Sequence, residues 1–256
     1  MIICDTNIWY RLGDGRLSES DFGGDELVVT GVNVEELCTT ETMLTDPTSF
    51  KNAIKAINKY ATQYIDYDPI EFILIQISDI FIPHRKAYKD MMDSLQIYLS
   101  IDLEELMKDE VKIEKLKNDI VNWNEPSKKL VNQLNSKIQN ISEGVKEKYH
   151  KKQFRKKNNV PEITEMFLDI FQTRLNKDEV IDPKSIDWEN FKLLILGWDT
   201  YFKEKSLYPN NKFKINDLYD LMNLSFVQKH DKYWTVDQKE PYTSLKNNIY
   251  AKSYFY

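Results

Sequence analysis

Acidic residues follow or begin predicted secondary-structure elements near both ends of the chain. Asp5 and Asp237 each come directly after a short run that is typical of a strand, and Glu36 lies near the start of a predicted helix. Asp217 and Asp220, at a spacing of three, share one face of another predicted helix. Carboxylates gathered without a cation would repel one another and raise each other's pKa, and bound Mg²⁺ or Mn²⁺ would remove that conflict. These residue types predict a metal site that can activate water for attack on a phosphodiester.

Strands that alternate with helices would bring these acids together. Residues 2–4 and 27–29 are short apolar runs that end in polar turns, which is typical of buried parallel strands. Residues 64–67 form a candidate third strand, and residues 233–236 are predicted to form a strand near the C-terminus. Ligands of parallel α/β sheets bind at the carboxyl ends of the strands. We therefore expect the acids to converge at that edge of the sheet.

The helices that follow these strands carry their own start signals. Asn33 and Asn216 are predicted N-caps of the helices that contain the acidic motifs, and Asp68 with Pro69 is a favourable start for another helix. Phe50, Ile54, Ile57 and Ala61 mark the apolar stripe of a further helix. From residue 69 to about residue 205 the pattern is helical throughout. We expect caps or breaks near four prolines: Pro83, Pro126, Pro161 and Pro183.

The fold predicted from this pattern is α/β, with an all-helical block inserted into it. Residues 1–68 and 213–256 are expected to form one core around a parallel sheet, and residues 69–212 to form the insertion. A length of 256 residues suits one large domain or a core with a sizeable insertion, and 41% hydrophobic residues exclude a disordered chain.

Membrane and disulfide-rich classes are disfavoured. The longest apolar stretch, residues 70–82, is interrupted by Glu71 and Asp79 and is shorter than the roughly 18 residues that a membrane span needs. The N-terminus starts without a basic region or a long apolar segment. Cys4 and Cys38 are too few for a disulfide scaffold and do not form a zinc-binding pair. We therefore expect a cytoplasmic protein without a membrane partner.

One strongly basic segment stands out in a chain of formal charge −6. Residues 146–157 contain seven basic residues and one acidic residue, together with Tyr149, His150 and Phe154. Such a segment could neutralise phosphates and stack on bases, although a solvated helix face is the alternative interpretation. The candidate nucleic-acid-binding residues are Lys148, Lys151, Lys152, Arg155, Lys156 and Lys157.

The order and spacing of the acidic motifs resemble the PIN-domain family of metal-dependent nucleases, which includes the VapC-like proteins. Ile2-Ile3-Cys4-Asp5-Thr6-Asn7 is similar to the opening strand and DTN motif of that family. Val28-Val29-Thr30 through Glu36-Leu37 resembles the second acidic motif, and Asn216-Asp217-Leu218-Tyr219-Asp220 the third. Trp234-Thr235-Val236-Asp237 is similar to the closing TxD motif. The resemblance does not cover the helical block.

This resemblance implies a three-layer α/β/α fold with a central parallel sheet and a metal-dependent endoribonuclease. Asp5, Glu36, Asp220 and Asp237 would be the catalytic and metal-binding acids, with Asp217 as an additional ligand or as the true third acid. Thr6, Asn7 and Thr235 would orient ligands or water. The implied cofactor is Mg²⁺ or Mn²⁺. The implied partners are an RNA substrate, a protein inhibitor or antitoxin, and a second copy in a homodimer.

Two other functions remain open at this point. The chain could be a catalytically silent binding or scaffold protein on a PIN-like fold, whose helical block docks a partner. It could also be a structure-specific DNA nuclease. A serine elbow, a P-loop, a dinucleotide fingerprint and an HExxH zinc motif are all missing from the sequence, which disfavours the enzyme classes that use them.

Overall fold

Four parallel strands form the central sheet of the protein. The structure, a computed structural model, describes residues 1–78, 81, 86–106, 108–148, 151–175, 181–208, 210–239 and 241–256. The strands are β1 (Ile2–Cys4), β2 (Leu27–Thr30), β3 (Ala61–Ile65) and β4 (Lys232–Trp234), in the order β3-β2-β1-β4. The predicted parallel sheet is confirmed, and β4 from the C-terminal segment pairs directly with β1.

The third strand begins earlier than predicted. It covers Ala61–Ile65 instead of residues 64–67, and Ala61 pairs with Leu27 of β2. Ala61 was therefore wrongly included in the preceding helical stripe. That helix ends at Tyr60 and the chain continues directly into the strand, so no turn residue marks the boundary in the sequence.

Helices occupy most of the remaining chain. The α-helices are α1 (Thr6–Gly13), α2 (Gly31–Thr39), α3 (Thr42–Thr45), α4 (Pro47–Tyr60), α5 (Pro69–Ile77), α6 (Lys86–Ser100), α7 (Leu103–Leu106), α8 (Glu110–Lys148), α9 (Lys151–Lys156), α10 (Val160–Arg174), α11 (Lys192–Leu207), α12 (Ile215–Asn223) and α13 (Tyr242–Asn247). Short 3-10 helices cover Glu19–Asp21, Pro183–Ser185, Leu224–Phe226 and Lys252–Tyr254. In the described part of the chain, none of the helices combines the length and the apolar character that a membrane span requires.

Alternating side chains of the strands enter two separate hydrophobic cores. Ile3 of β1 belongs to one core, together with Phe167 of α10. Ile2 and Cys4 belong to the other core, together with Phe50 of α4. Because successive side chains of a strand point to opposite faces, the two cores lie on opposite sides of the sheet. The protein is thus an α/β fold with helices packed on both faces of a parallel sheet.

Residues of the helical block pack into both of these cores, and Phe154 and Leu207 of the same block form a small cluster of their own. Phe167 and Leu194 pack in the first core, whereas Leu95 and Ile120 pack in the second. Helix α8 contributes to both, since Ile120 near its start and Val131 further along it lie in different cores. The helices between residues 69 and 212 therefore cover the sheet and pack against the elements that carry the acids.

Two predicted helix caps are wrong. Helix α2 is capped by Thr30, whose side chain accepts a hydrogen bond from the backbone N–H of Asn33, and Asn33 is the third helical residue of that capping box. Helix α12 begins at Ile215, so Asn216 lies inside its first turn. In both cases a residue three positions after the cap, Asn33 or Asp217, bonds back to the N–H of the cap, and the predictions placed the cap on a polar residue of the first turn instead. The predicted cap Asp68 is confirmed, because its carboxylate accepts from the N–H groups of Ile70 and Glu71.

The four prolines behave differently from one another. Pro161 opens α10 and Pro183 opens a 3-10 helix, as predicted. Pro126 does not interrupt the helix and lies inside the 39-residue α8. Pro126 and Asn122 are both exposed, so solvent can reach the carbonyl that loses its helical donor. Pro83 lies outside the described residues.

Candidate metal centre

Three carboxylates meet at the carboxyl edge of the sheet. Asp5 directly follows β1, Asp237 follows β4, and Asp220 lies in α12. One carboxylate oxygen from each of these residues lies within 4.8 Å of the others. The structure therefore brings together three of the predicted site residues from segments that are far apart in the sequence.

Asp5 is the most deeply buried member of this group. Its exposed fraction is 3%, and its Oδ2 accepts a hydrogen bond of 2.7 Å from Thr235 Oγ1. Burial raises the pKa of Asp5, the hydrogen bond from Thr235 opposes that increase, and the charge of Asp237 adds to it. Thr235 was a predicted orienting residue, and the structure places its hydroxyl on the carboxylate of Asp5.

Asp220 projects from α12 into the same group. Its Oδ2 accepts a hydrogen bond of 3.2 Å from the Tyr201 hydroxyl of α11. Burial, followed by the charge of Asp5, raises the pKa of Asp220 to about 7. A divalent cation would stabilise the ionised form of Asp220, which burial and a neighbouring negative charge disfavour.

Glu36 is near enough to Asp5 and Asp220 to respond to their charge, but it is not one of the three residues whose carboxylate oxygens lie within 4.8 Å of one another. Burial, followed by the charge of Asp5, raises the pKa of Glu36 to about 8, and the charge of Asp220 also contributes. The hydroxyl of Thr6 hydrogen bonds to the Glu36 side chain and acts in the opposite direction. The adjacent Glu35 instead accepts a bond of 3.5 Å from the Tyr219 hydroxyl. Glu36 is thus coupled to Asp5 and Asp220.

The structure does not bring Asp217 into this group. Its Oδ2 lies 3.1 Å from Nζ of Lys205, a lysine that is only 4% exposed, and accepts a bond of 2.8 Å from the backbone N–H of Lys214. Asp217 therefore closes the first turn of α12 and neutralises a buried lysine of α11. Although Asp217 and Asp220 share a helix, they have different partners.

Lys239 is a part of the site that the sequence analysis missed. Its Nζ lies 3.0 Å from Asp237 Oδ2 and 3.1 Å from Asp220 Oδ2. Burial acts to lower the pKa of Lys239, but the charges of Asp220 and Asp237 outweigh it and hold the pKa above its ordinary value. The sole sequence signal for this role is that a lysine follows two residues after Asp237. A lysine at that distance from an aspartate is too common to indicate a functional residue.

The donor set itself fits a hard divalent cation. Asp5, Asp220 and Asp237 offer carboxylate oxygens, which Mg²⁺ and Mn²⁺ prefer over the nitrogen and sulfur donors that zinc often uses. Burial and mutual repulsion disfavour the ionised form of Asp5 and Asp220, and a bound cation would relieve both effects. We conclude that these residues could hold such an ion.

No protein-family model, no curated protein and no solved structure that was compared with the chain matches it. Its own geometry therefore has to support any assignment of function.

A buried polar network fixes the elements that carry the acids. The side-chain amide of Asn33 donates to Thr6 Oγ1 at 3.0 Å and to the carbonyl of Cys4 at 3.1 Å. Asn223, at the end of α12, donates to the same carbonyl at 3.0 Å and accepts a bond of 2.7 Å from Thr30 Oγ1. These bonds connect α2 and α12 to the end of β1, so Glu36 and Asp220 are held relative to Asp5.

The other predicted orienting residues have different environments. Thr6 is buried in the network described above, whereas the Asn7 side chain is exposed in the first turn of α1.

Lys246 of α13 was not predicted, and its Nζ donates to the carbonyls of Thr235 and Asp237, each at 3.1 Å. This lysine fixes the backbone of the segment that presents Asp237.

The basic segment is described in part. Lys152, Arg155, Lys156 and Lys157 are exposed, whereas the side chains of Lys148 and Lys151 and all of Tyr149 and His150 lie outside the described residues. Phe154 is buried against Leu207 and so cannot stack on a base, contrary to expectation. Arg155 donates to the Tyr208 hydroxyl at 2.7 Å and lines a cleft with Lys203, Ser244 and Asn248. Ser244 belongs to α13, the helix that also holds the backbone of Asp237.

Proposed function

We propose that the chain is a metal-dependent endoribonuclease of the PIN type. The observation that carries this proposal is the convergence of Asp5, Asp220 and Asp237 at the carboxyl edge of a parallel sheet, within 4.8 Å of one another. The resemblance of the four acidic motifs to those of PIN domains supports it, as does the order in which the chain supplies them. Glu36 would complete the site as a fourth acid.

In this proposal, Mg²⁺ or Mn²⁺ held by Asp5, Asp220 and Asp237 supplies the charge that polarises a phosphodiester and activates water. Thr235 and the backbone N–H of Asn7 both hydrogen bond to the carboxylate of Asp5 and so orient it. Glu36 would accept the proton of the attacking water at its carboxylate once a bound cation has lowered its raised pKa and ionised it. Tyr201 fixes the orientation of Asp220.

The proposed substrate is RNA, and the exposed cations of α9 support it. A protein of formal charge −6 needs a local positive surface to attract a polyanion, and Lys152, Arg155 and Lys156 provide one, whereas Lys157 is paired with Glu162. The cleft beside Arg155 reaches α13, whose Lys246 contacts the segment that carries Asp237.

Cleavage of end-labelled single-stranded RNA tests this proposal. The purified protein should cleave this RNA in the presence of Mn²⁺ or Mg²⁺, and EDTA should stop the reaction. The Asp5→Asn variant should remain folded but should not cleave. Asp231→Asn is the matched control, because Asp231 is equally buried but pairs with the N-terminal amine. Metal-dependent cleavage by Asp5→Asn would overturn the proposal. Parallel reactions with single-stranded and branched DNA would identify a DNA nuclease instead.

A second function is favoured by a specific observation. Lys239 already neutralises Asp220 and Asp237, so the acidic group has a protein-supplied counter-ion. A catalytically silent binding protein on the same fold would retain the acids in this form and would need no metal. Titration of the folded protein with Mn²⁺ distinguishes the two, because a silent protein of this kind should not bind the ion at Asp5, Asp220 and Asp237.

A further inference from the structure

The Lys239 side chain contacts two of the three carboxylates that could hold a divalent cation. Its ammonium group lies between Asp220 Oδ2 and Asp237 Oδ2, at 3.1 Å and 3.0 Å. Both carboxylates belong to the group of three that could hold an ion. A lysine ammonium and a divalent cation would compete for these oxygens, because both bind carboxylate lone pairs and the two positive charges repel each other.

The backbone around Lys239 is fixed independently of its side chain. Thr243 of α13 donates from its hydroxyl to the carbonyl of Gln238 at 2.7 Å and from its N–H to the carbonyl of Lys239 at 3.3 Å. Lys246 holds the carbonyl of Asp237. The ammonium group can therefore leave the acids by rotation of its four-carbon side chain, while Asp237 stays in place.

Solvent can replace the two carboxylates as the partner of the Lys239 ammonium group. The Lys239 side chain is 46% exposed, in contrast to Asp220 and Asp237, which are 10% and 24% exposed. Water can hydrate the ammonium group as soon as it turns outward, whereas the aspartates would be left as adjacent negative charges. The carboxylates need a replacement cation, and the lysine does not need a replacement anion.

From this geometry we infer that Lys239 is an exchangeable counter-ion, which neutralises Asp220 and Asp237 in the metal-free protein and is displaced when a divalent cation binds. The inference rests on the proposed function, since it requires that the three aspartates bind a metal. Its consequence is competition: the lysine weakens metal binding at this site and confines it to conditions in which the ion can displace the ammonium group.

The decisive variant is Lys239→Met, which keeps the aliphatic side chain and removes the charge. Mn²⁺ should bind to this variant about three- to tenfold more tightly than to the wild-type protein, since no ion pairs have to be broken first. A residue with a merely structural role would not produce a gain in affinity when truncated. Lys128→Met is the matched control, because Lys128 is 40% exposed and lies 3.1 Å from Glu125.

Isothermal titration of these proteins with Mn²⁺, with Asp237→Asn included, separates the outcomes. Tighter binding by Lys239→Met alone supports the exchange. A second outcome is that the wild-type protein binds Mn²⁺, that Asp237→Asn does not, and that Lys239→Met binds the ion no more tightly than the wild-type protein. This outcome overturns the role of Lys239 and leaves the proposed function intact. Absence of binding in every protein overturns the proposed function and, with it, the exchange.

The wild-type protein provides a second test that does not depend on folding of a variant. An amine-acylating reagent reacts slowly with a lysine that is held in ion pairs. If Mn²⁺ displaces Lys239, its acylation rate, followed by mass spectrometry, should rise at least about twofold when the ion is added, because its carboxylate partners are lost and a positive charge is nearby. Lys128 should not respond. An unchanged rate at Lys239 under saturating Mn²⁺ would show that the lysine is not displaced.

Discussion

Thr235 Oγ1 donates a hydrogen bond of 2.7 Å to Asp5 Oδ2 and accepts one of 3.1 Å from the backbone N–H of Asp237. A single hydroxyl thus contacts two of the three residues whose carboxylates converge. The backbone N–H of Asp5 also donates to the carbonyl of Trp234, at 2.9 Å. The ends of β1 and β4 are therefore locked together at the point where each strand presents its acid.

Replacement of Thr235 by valine should impair metal binding more than folding. The valine side chain has a similar shape, but it leaves Asp5 Oδ2 without its donor, so the carboxylate loses its fixed orientation. We expect Mn²⁺ affinity, measured by calorimetry, to fall by about tenfold or more. The free energy of unfolding in urea should fall by about 1–3 kcal/mol, because a buried acceptor is left unsatisfied.

Thr235→Ser is the control for this experiment. Serine retains the hydroxyl and loses only a methyl group, so its metal affinity should remain close to that of the wild-type protein. Unchanged Mn²⁺ affinity in Thr235→Val would show that the hydrogen bond to Asp5 does not matter for the ion.

Asp217→Ala should have the opposite profile. Removal of this carboxylate leaves Lys205 buried without its charged partner, and a broken buried ion pair typically costs about 3–5 kcal/mol. We therefore expect a large loss of unfolding free energy, but Mn²⁺ binding and RNA cleavage close to wild type under conditions in which the variant is folded. Loss of Mn²⁺ binding by a folded Asp217→Ala protein would identify Asp217 as a ligand after all.

Metal affinity should rise with pH across the neutral range. The pKa of Asp220 is raised to about 7 and that of Glu36 to about 8 by burial and by neighbouring negative charge, so both carboxyls bind protons that a metal ion has to expel. Mn²⁺ affinity should therefore increase from about pH 6 to about pH 8.5 and level off above it. Ordinary carboxylates would give a flat profile in this range.

Calorimetry in buffers of different ionisation enthalpy measures this proton release directly. Glu36→Gln serves as the control, because it should remove the part of the profile that lies nearest to pH 8. A wild-type affinity that is constant between about pH 6 and pH 8.5 would contradict the prediction.

The exposed cations of α9 should contribute to RNA affinity through phosphate contacts. The double variant Lys152→Gln/Lys156→Gln should bind single-stranded RNA more weakly whatever its sequence. The slope of log affinity against log salt should become shallower by about 1.4 if each lysine neutralises one phosphate. Fluorescence anisotropy at several salt concentrations measures that slope. Lys55→Gln/Lys229→Gln removes two exposed lysines from other parts of the surface and should leave the slope unchanged.

The sequence predicted those features that depend on local pattern and on the geometry of parallel sheets. Asp5 and Asp237 come after strands, and the carboxyl ends of parallel strands share one edge, so their proximity could be inferred without coordinates. The same reasoning failed to separate Asp217 from Asp220. Their distinct partners, Lys205 and Tyr201, both lie on α11, and no local pattern indicates how α11 packs against α12.

The missed lysines show the same limitation. Lys239 and Lys246 lie in a segment with ordinary composition, and their roles depend on the path of the backbone after β4. Cap prediction failed for a related reason at Asn33, since a capping box contains two polar residues and the sequence alone does not show which one ends the extended segment. In each of these cases the role of the residue depends on tertiary structure, which the local sequence does not show.

The pairing of β1 with β4 has a consequence for biosynthesis. Asp5 and Thr235 are 230 positions apart along the chain, and contacts of such high contact order form late and slowly during folding. While the polypeptide is still emerging from the ribosome, Asp220 and Asp237 have not yet been translated, and the edge of β1 that will pair with β4 has no partner. A nascent chain therefore carries Asp5 and Glu36 but no complete cluster of acids. The cluster can therefore react only after β4 and Asp237 have been synthesised.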